Sequence, residues 1–191
     1  AGNYEAGANF SKNKFNLRGS FFSTTIANPI SNVTLTTTPN LITRQRQNAG
    51  KIRASGAEIE AETRYKRLKF SAGYLYSDAR VTEFPANRAL ENRRVPQTAR
   101  HQLTFQINHS IKTWDFAVQS RASSSQFDDD LNTFRLEPYF QTDVFVSKRF
   151  GENTQIFTGI ENVFDSRYSV GRTPLRTVSS PINLRVGLRW N

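Results

Sequence analysis

From residue 182 to residue 190 the chain alternates without interruption. Ile182, Leu184, Val186, Leu188 and Trp190 form one row, and Asn183, Arg185, Gly187 and Arg189 form the other. A period of two places successive side chains on opposite faces of a strand. A soluble core strand rarely turns two arginines inward. A transmembrane β-barrel satisfies both rows, with the polar face toward a wet lumen and the apolar face toward lipid.

The same alternation recurs upstream. Tyr4, Ala6, Ala8 and Phe10 oppose Asn3, Glu5, Gly7 and Asn9, and Phe15, Leu17, Gly19 and Phe21 oppose Asn16, Arg18, Ser20 and Phe22 before Pro29 stops the ladder. Ala57, Ile59, Ala61, Thr63 and Tyr65 oppose Glu58, Glu60, Glu62 and Arg64, and the row Leu68, Phe70, Ala72, Tyr74, Tyr76 follows a tight turn. Leu103, Phe105 and Ile107 then oppose Gln102, Thr104, Gln106 and Asn108, and Trp114, Phe116 and Val118 oppose Asp115, Gln119 and Arg121. Phe140, Thr142, Val144 and Val146 oppose Gln141, Asp143 and Ser147, with Phe145 an apolar intruder, and Ile156, Thr158 and Ile160 oppose Gln155, Gly159 and Glu161. With the closing strand this predicts nine strands and no helix, an all-β, antiparallel, up-and-down transmembrane barrel segment.

The connections alternate between short (11–14, 66–67, 112–113, 151–153) and long (29–50, 84–96, 128–137, 165–180). A sandwich scatters its loop lengths, whereas an outer-membrane barrel has short periplasmic turns and long extracellular loops. Within the first long loop, residues 32–35 and 41–46 could extend the flanking strands beyond a membrane. Phe10, Phe15, Tyr65, Trp114, Phe150 and Trp190 all stand beside short turns, as an interfacial girdle requires. Counted back from the terminus, the last strand runs toward the periplasm and every short turn falls on that side. Bacterial single-chain barrels have an even number of strands, so nine imply the last strands of a larger barrel.

Composition narrows the class further. The 191 residues are 37% hydrophobic and 12% aromatic, with a mean hydropathy of −0.59, which suits a barrel or an aromatic-rich sandwich. No apolar run is long enough for a transmembrane helix, and no secretory signal is present. Without cysteine there is no disulfide framework and no thiolate metal site. Methionine is absent even at position 1, which implies a piece of a longer reading frame. The net charge of +10 raises nucleic acid as a partner. The basic residues are scattered, however, and their densest cluster (Arg44, Arg46, Lys51, Arg53) has no interleaved stacking aromatics, so no nucleic-acid partner is expected.

Candidate chemistry is sparse. His101 and His109 lie about 26 Å apart along one strand and cannot share a metal, so both read as interfacial histidines. Glu58, Glu60 and Glu62 stand about 7 Å apart, a glycosidase-compatible spacing, but with Arg64 they read as a hydrated lumen wall laced by ion pairs. Residues 128–130, three consecutive aspartates, lack the spaced ligands of a calcium loop and read as a solvated loop tip. Two glycosylation-like triplets, beginning at Asn32 and Asn108, are chance matches in a bacterial-looking barrel. Arg44 and Arg46 in one long loop, with Arg88, Arg93 and Arg94 in another, are the candidate ligand-binding residues for an anionic solute such as a chelated metal. Lipopolysaccharide phosphates or solvent are their alternative partners. No phosphate loop, nucleophile elbow or zinc motif occurs, so no catalytic residue, no cofactor and no metal site is expected, and the chain is not expected to be an enzyme.

Residues 159–172 read GIENVFDSRYSVGR, Pro174 follows, and the chain ends GLRWN. This resembles the C-terminal region of TonB-dependent outer-membrane receptors, where a Glu-Asn-aliphatic-Phe-Asp strand end precedes an Arg-Tyr loop and a closing strand. Asn48-Ala-Gly50 with the following Gly56-Ala-Glu58-Ile59-Glu60, and Arg94-Val-Pro96-Gln97 before His101, are similar to other stretches of that family, and the likeness covers essentially the whole chain. Asn191 after the terminal aromatic departs from the pattern. The resemblance implies a barrel of about 22 strands around an N-terminal plug, in the bacterial outer membrane. Residues 1–191 would be its C-terminal portion, without the plug. The implied activity is energy-coupled uptake of a scarce solute such as a ferric siderophore, haem, cobalamin or oligosaccharide. The implied partners are the lipid bilayer, a TonB-type energy-coupling protein acting through the absent N-terminal part, and the small-molecule or metal-chelate ligand.

The competing readings are a self-contained small outer-membrane barrel with a structural or adhesive role, a membrane enzyme barrel, and a soluble sandwich that buries Ile182, Leu184 and Val186 between sheets. Pairing of the first strand with the last would favour the small barrel. Leu184→Lys should impair membrane insertion, costing about 2–4 kcal/mol near midplane, whereas Asn183→Lys should be mild. A denaturant titration of the full-length protein in bilayers checks this, and equal tolerance at the two positions would count against a barrel.

Overall fold

The computed structural model describes residues 1–38, 40–48 and 50–190. Ala49 of the Asn-Ala-Gly stretch and the terminal Asn191 lie outside the described residues. Nine strands form one antiparallel sheet in sequential order: β1 (Gly2–Lys12), β2 (Phe15–Ala27), β3 (Lys51–Tyr65), β4 (Leu68–Glu83), β5 (His101–Ile111), β6 (Trp114–Ser123), β7 (Tyr139–Phe150), β8 (Thr154–Glu161) and β9 (Asn183–Trp190). Each strand pairs with its chain neighbours, and among the described residues β1 pairs only with β2 and β9 only with β8. The sheet is therefore open, with its first and last strands apart, which the small closed barrel does not allow.

The short turns are as tight as the spacing predicts. Lys12 pairs with Phe15, Tyr65 with Leu68 and Ile111 with Trp114, leaving two residues in each turn. Asn13 (φ 54°), Lys66 (53°) and Lys112 (52°) take the left-handed conformation that such turns demand. The strand ends differ from the sequence reading mainly at β4, which continues to Glu83 because its upper half pairs with β3 as far as Lys51. The first long loop is a hairpin of its own, Ile30–Thr38 against Leu41–Asn48. The only helical turn among the described residues is a 3-10 turn at Arg88–Leu90.

The register confirms the two faces. On one face Phe21, Ala57, Tyr76 and His101 lie level, as do Leu68, His109, Phe116 and Val146 one band lower. These side chains have no protein layer over them: Phe21 is 72% exposed, Val186 71% and Trp190 74%. Residues 68–76 of β4 span about 27 Å along the strand, or roughly 20 Å of membrane depth at the tilt of barrel strands. That matches an apolar band, and it ends sharply. Above Tyr76 the outward row turns to Asp78 and Arg80, and above Ala57 to Ser55 and Arg53.

Aromatic side chains crowd both borders. Trp114 stacks on Phe116 at the lower one, with Lys148 placed over Trp114 and Phe150 at 4.8 and 4.7 Å. At the upper border the Tyr74 hydroxyl meets His101 Nδ1 at 2.7 Å. His109 stacks on Phe116 at the opposite end of β5. The two histidines thus mark the two interfaces.

The other face is polar and hollow. An open cavity of about 620 Å³ runs over it, lined by Asn9, Asn16, Arg18, Glu60, Glu62 and Gln106 among others. The glutamate row carries the expected ion pairs: Lys69–Glu62 at 2.8 Å, Arg64–Glu62 at 3.8 Å and Arg18–Glu60 at 3.8 Å. Solvent reaches all of them, so each contributes at most about 1 kcal/mol. Phe145, the apolar intruder, lies across Gly159, where a Cβ would come within 2.8 Å of its ring. Phe157 covers Gly187 in the same way. Each ring fills the space that the missing side chain of a neighbouring strand leaves open.

With no second layer on the sheet, the hydrophobic core sits above it. Val33, Phe84 and Leu90 are the buried cluster, joined by Val81 and Leu131, and all but Val81 come from the long loops.

Candidate functional site

The long loops are bound to one another through two of the three consecutive aspartates, Asp128 and Asp130. Asp128 accepts from the Gln97 side chain (2.9 Å) in the second loop, and from the Arg172 amide, the Thr173 amide and the Thr173 hydroxyl (2.8, 2.8 and 2.7 Å) in the fourth. Asp129, almost fully buried, accepts from the amides of Thr133 and Phe134 and so shapes its own loop. Asp130 accepts from the Thr34 amide (2.8 Å) and hydroxyl (2.6 Å) in the first loop. Residues 128–130 are therefore a half-buried junction, with Asp129 buried, and not the solvated tip that their polarity suggests. Asp128 binds the second and fourth loops, Asp130 the first and Asp129 its own, and among the described residues no group of acidic and histidine side chains is arranged to hold a metal ion.

Other bonds complete the clasp. The Arg94 amide donates to Asn132 Oδ1 (2.8 Å), and Asn132 Nδ2 donates back to the Arg94 carbonyl (2.9 Å). The Gln97 amide donates to the Phe127 carbonyl at 2.7 Å, with Gln97 itself left-handed (φ 53°). That accounts physically for the Arg94-Val-Pro96-Gln97 stretch, which crosses from one loop to the next. Gly50 is needed for close approach: a Cβ there would lie 2.8 Å from the Glu83 carbonyl and 2.9 Å from Pro85.

The fourth loop is tied at its base by the Asn162 side chain. Asn162 Nδ2 donates to the carbonyls of Ser166 (3.1 Å) and Ser180 (2.9 Å), while its Oδ1 accepts from the Ser166 amide (2.8 Å). Asp165 accepts from Arg167 and from the Ile182 amide, and these bonds, the Arg167 one foremost, hold its carboxyl below the ordinary range. Tyr168 stacks flat on Tyr139 with ring centroids 4.1 Å apart and donates its hydroxyl to Gln141 at 2.9 Å. Burial above all pushes its phenol pKa up. The Glu-Asn-Val-Phe-Asp-Ser-Arg-Tyr stretch is thus a structural knot where β8 leaves the sheet.

Between the clasped loops lies a cavity of about 310 Å³. Val33, Val81, Phe84 and Leu90 supply its apolar part, the aspartates one flank, and Arg44 and Arg94 its positive charge. Arg44 reaches Thr173 Oγ1 at 2.7 Å, and Arg94 lies 5.7 Å from the Phe127 ring centroid. Partial burial, then the nearby Arg100, lower the pKa of Arg94 below its ordinary value. The aspartate oxygens are occupied by loop donors, which leaves the guanidinium groups as the groups able to meet a ligand. The pocket thus offers two guanidinium donors beside three hydrogen-bonded carboxylates, around an apolar floor.

Of the five candidate arginines, the fold brings Arg44 and Arg94 to this cavity. Arg46, Arg88 and Arg93 are exposed loop residues that do not line it. Asn132 and Thr173 escaped the sequence reading, which met Gln97 only in the family-like stretch and took Asp128 for part of a solvated tip. The one available signal was three consecutive carboxylates in a chain whose net charge is +10.

Residues 2–163 match the family model described as TonB dependent receptor-like, β-barrel. No curated protein sequence matches the chain. Among solved structures, the siderophore receptor PiuA from Acinetobacter baumannii matches with a TM-score of 0.76 at 18% identity, over 98% of this chain and 28% of that one. The ferric yersiniabactin uptake receptor FyuA from Yersinia pestis matches with a TM-score of 0.79 at 20% identity, over 98% and 29%. The copper transporter OprC gives 0.78 at 13% identity, over 98% and 30%. The chain therefore spans under a third of the length of these structures, and the likeness to them is one of fold.

Asp128 makes the clasp pH-dependent. Burial raises its pKa, but the bonds from Gln97, Arg172 and Thr173 outweigh burial and hold the carboxyl below the ordinary range. A depressed folded pKa stabilises fully above the unfolded value of about 3.9 and ceases to as pH falls through the folded one. Protection of the second and fourth loops against hydrogen exchange, taken relative to the intrinsic rate at each pH, should therefore fall below about pH 4. Asp128→Asn should exchange faster already at neutral pH and lose most of that acid dependence.

Proposed function

Because the chain belongs to the TonB-dependent receptor-like β-barrel family, we propose that it is the C-terminal part of a barrel that takes up a scarce solute across the outer membrane of a Gram-negative bacterium. Residues 1–191 act as barrel wall and ligand-gripping loops in a larger barrel, with the plug and the contact to a TonB-type energy-coupling protein supplied elsewhere in the protein. The observation that carries this reading is the uncovered apolar face on nine consecutive strands, with all long loops clasped at one end and short turns at the other. An open sheet suits a wall segment and not a self-contained adhesive barrel.

The pocket suggests the class of solute. Two guanidiniums over an apolar floor favour an anionic metal chelate, such as a ferric siderophore, over a neutral oligosaccharide. In that role Arg44 and Arg94 pair with acidic groups of the chelate, while Phe84 and Leu90 meet its apolar body. The solved structures with the same fold include a siderophore receptor and a ferric yersiniabactin uptake receptor, which supports iron chelates as the first class to test.

A strain lacking the gene, grown under iron limitation on single ferric chelates, should lose growth on at least one anionic chelate and regain it with the full-length protein. Arg44→Gln with Arg94→Gln should weaken binding of that chelate by about ten- to hundredfold while the folded protein still reaches the outer membrane. Growth on every chelate without the gene, together with no chelate bound by the purified protein, would contradict iron uptake.

A further inference from the structure

Just above the apolar band, the outward row carries more arginine than the protein neutralises. Arg53 on β3 stands directly opposite Arg80 on β4, a like-charge cross-strand pair that destabilises a sheet when left alone. Ser55 and Asp78 form the next pair down, then Ala57 and Tyr76. Asp78 is shared: one oxygen accepts from Arg80 (2.9 Å), the other from Arg100 (3.0 Å). Arg53 has only the Ser23 hydroxyl, at 3.3 Å. Among the described residues, two arginines thus share the Asp78 carboxylate, and Arg53, across the pair from Arg80, is bonded to no carboxylate. The other acidic side chain close by, Glu83, is already paired with Lys51 at 2.6 Å.

The place of this surplus decides its partner. Tyr74, Tyr76 and His101 form the aromatic border immediately below it, with Tyr74 bonded to His101. Aromatic rings of that kind lie at headgroup level. Arg53 and Arg80 are therefore on the lipid side of the wall, one rung beyond the hydrocarbon, with Arg100 tied to them through Asp78, and none of the three lines the loop cavity. Guanidinium groups bind phosphate oxygens in pairs and are weakly hydrated. We propose that Arg53, Arg80 and Arg100 form an outward-facing site for the phosphate of an outer-leaflet lipid headgroup, with Asp78 spacing two of the guanidiniums so that their free edges face the lipid. The proposal rests on the membrane-barrel reading above. The external phosphate offsets the Arg53–Arg80 repulsion, so that lipid binding should also stabilise the upper β3–β4 hairpin.

The test uses the full-length protein in vesicles of phosphatidylcholine alone and in vesicles of phosphatidylcholine doped with diphosphoryl lipid A. Lipid A should raise the melting temperature of the wild type, Arg53→Gln should lose most of that rise, and Arg53→Gln with Arg80→Gln should lose all of it. Arg53 is exposed and held by one hydroxyl, so its single substitution leaves the fold intact. An equal rise in the wild type and in Arg53→Gln would overturn the proposal, as would a rise produced equally by free inorganic phosphate. Protein that inserts in both vesicles but shows no lipid A effect sinks this site alone. Protein that floats with neither vesicle overturns the membrane reading together with it.

Discussion

An apolar sheet face that none of the described residues covers is the condition on which the rest of this structure depends. Burying it against a second sheet or a helix would make the chain an ordinary sandwich, and no such layer exists among the described residues. Lipid is the one environment in which Phe21, Leu184, Val186 and Trp190 are stable where they stand. That environment dictates the rest. Backbone groups must be satisfied within the sheet, so the strands pair continuously from β1 to β9. Polar side chains must then face the only water available, and the glutamate and arginine row lines a wet hollow instead of a core.

The same condition explains why the loops carry the core. A wall whose two faces are lipid and water cannot order a long loop by packing. Val33, Phe84, Leu90 and Leu131 therefore collapse on one another above the sheet, while Asp128 and Asp130 fasten four loops by hydrogen bonds. Aspartate suits this work because one carboxylate accepts several donors at once and bonds to charged acceptors are the stronger kind. The clasp leaves a small pocket in which each carboxylate accepts from loop donors, while among the described residues neither Arg44 nor Arg94 is paired with a carboxylate.

The wall was legible in the sequence because its grammar is local. Alternation of period two, two-residue turns and aromatics beside those turns are each read within about ten residues, and they gave the nine strands of the main sheet, their antiparallel order and the two faces of each. The long loops obey no such local rule. Asp128 meets Thr173 across 45 positions and Asp130 meets Thr34 across 96, so a polar run looks solvated until the fold brings its partners to it. Arg44 and Arg94 were picked out by charge alone, and charge could not separate them from Arg46, Arg88 and Arg93. The Arg53–Arg80 pair was hidden for another reason. It depends on the register of two strands well above the hairpin turn, in the stretch of β4 between the alternating row that ends at Tyr76 and the long connection that begins at residue 84.

Residues 1–191 contain no cysteine, so the central claim can be tested directly by introducing one at a time into this segment, any thiol elsewhere in the protein being replaced first. Spin labels placed one at a time from residue 102 to residue 107 of β5, in the full-length protein in bilayers, report access to oxygen in lipid and to a nickel chelate in water. Positions 103, 105 and 107 should favour oxygen, and 102, 104 and 106 should favour the nickel chelate, alternating at every step. A flat profile, or labels at Leu103, Phe105 and Ile107 shielded from both reagents, would contradict a wall between lipid and lumen.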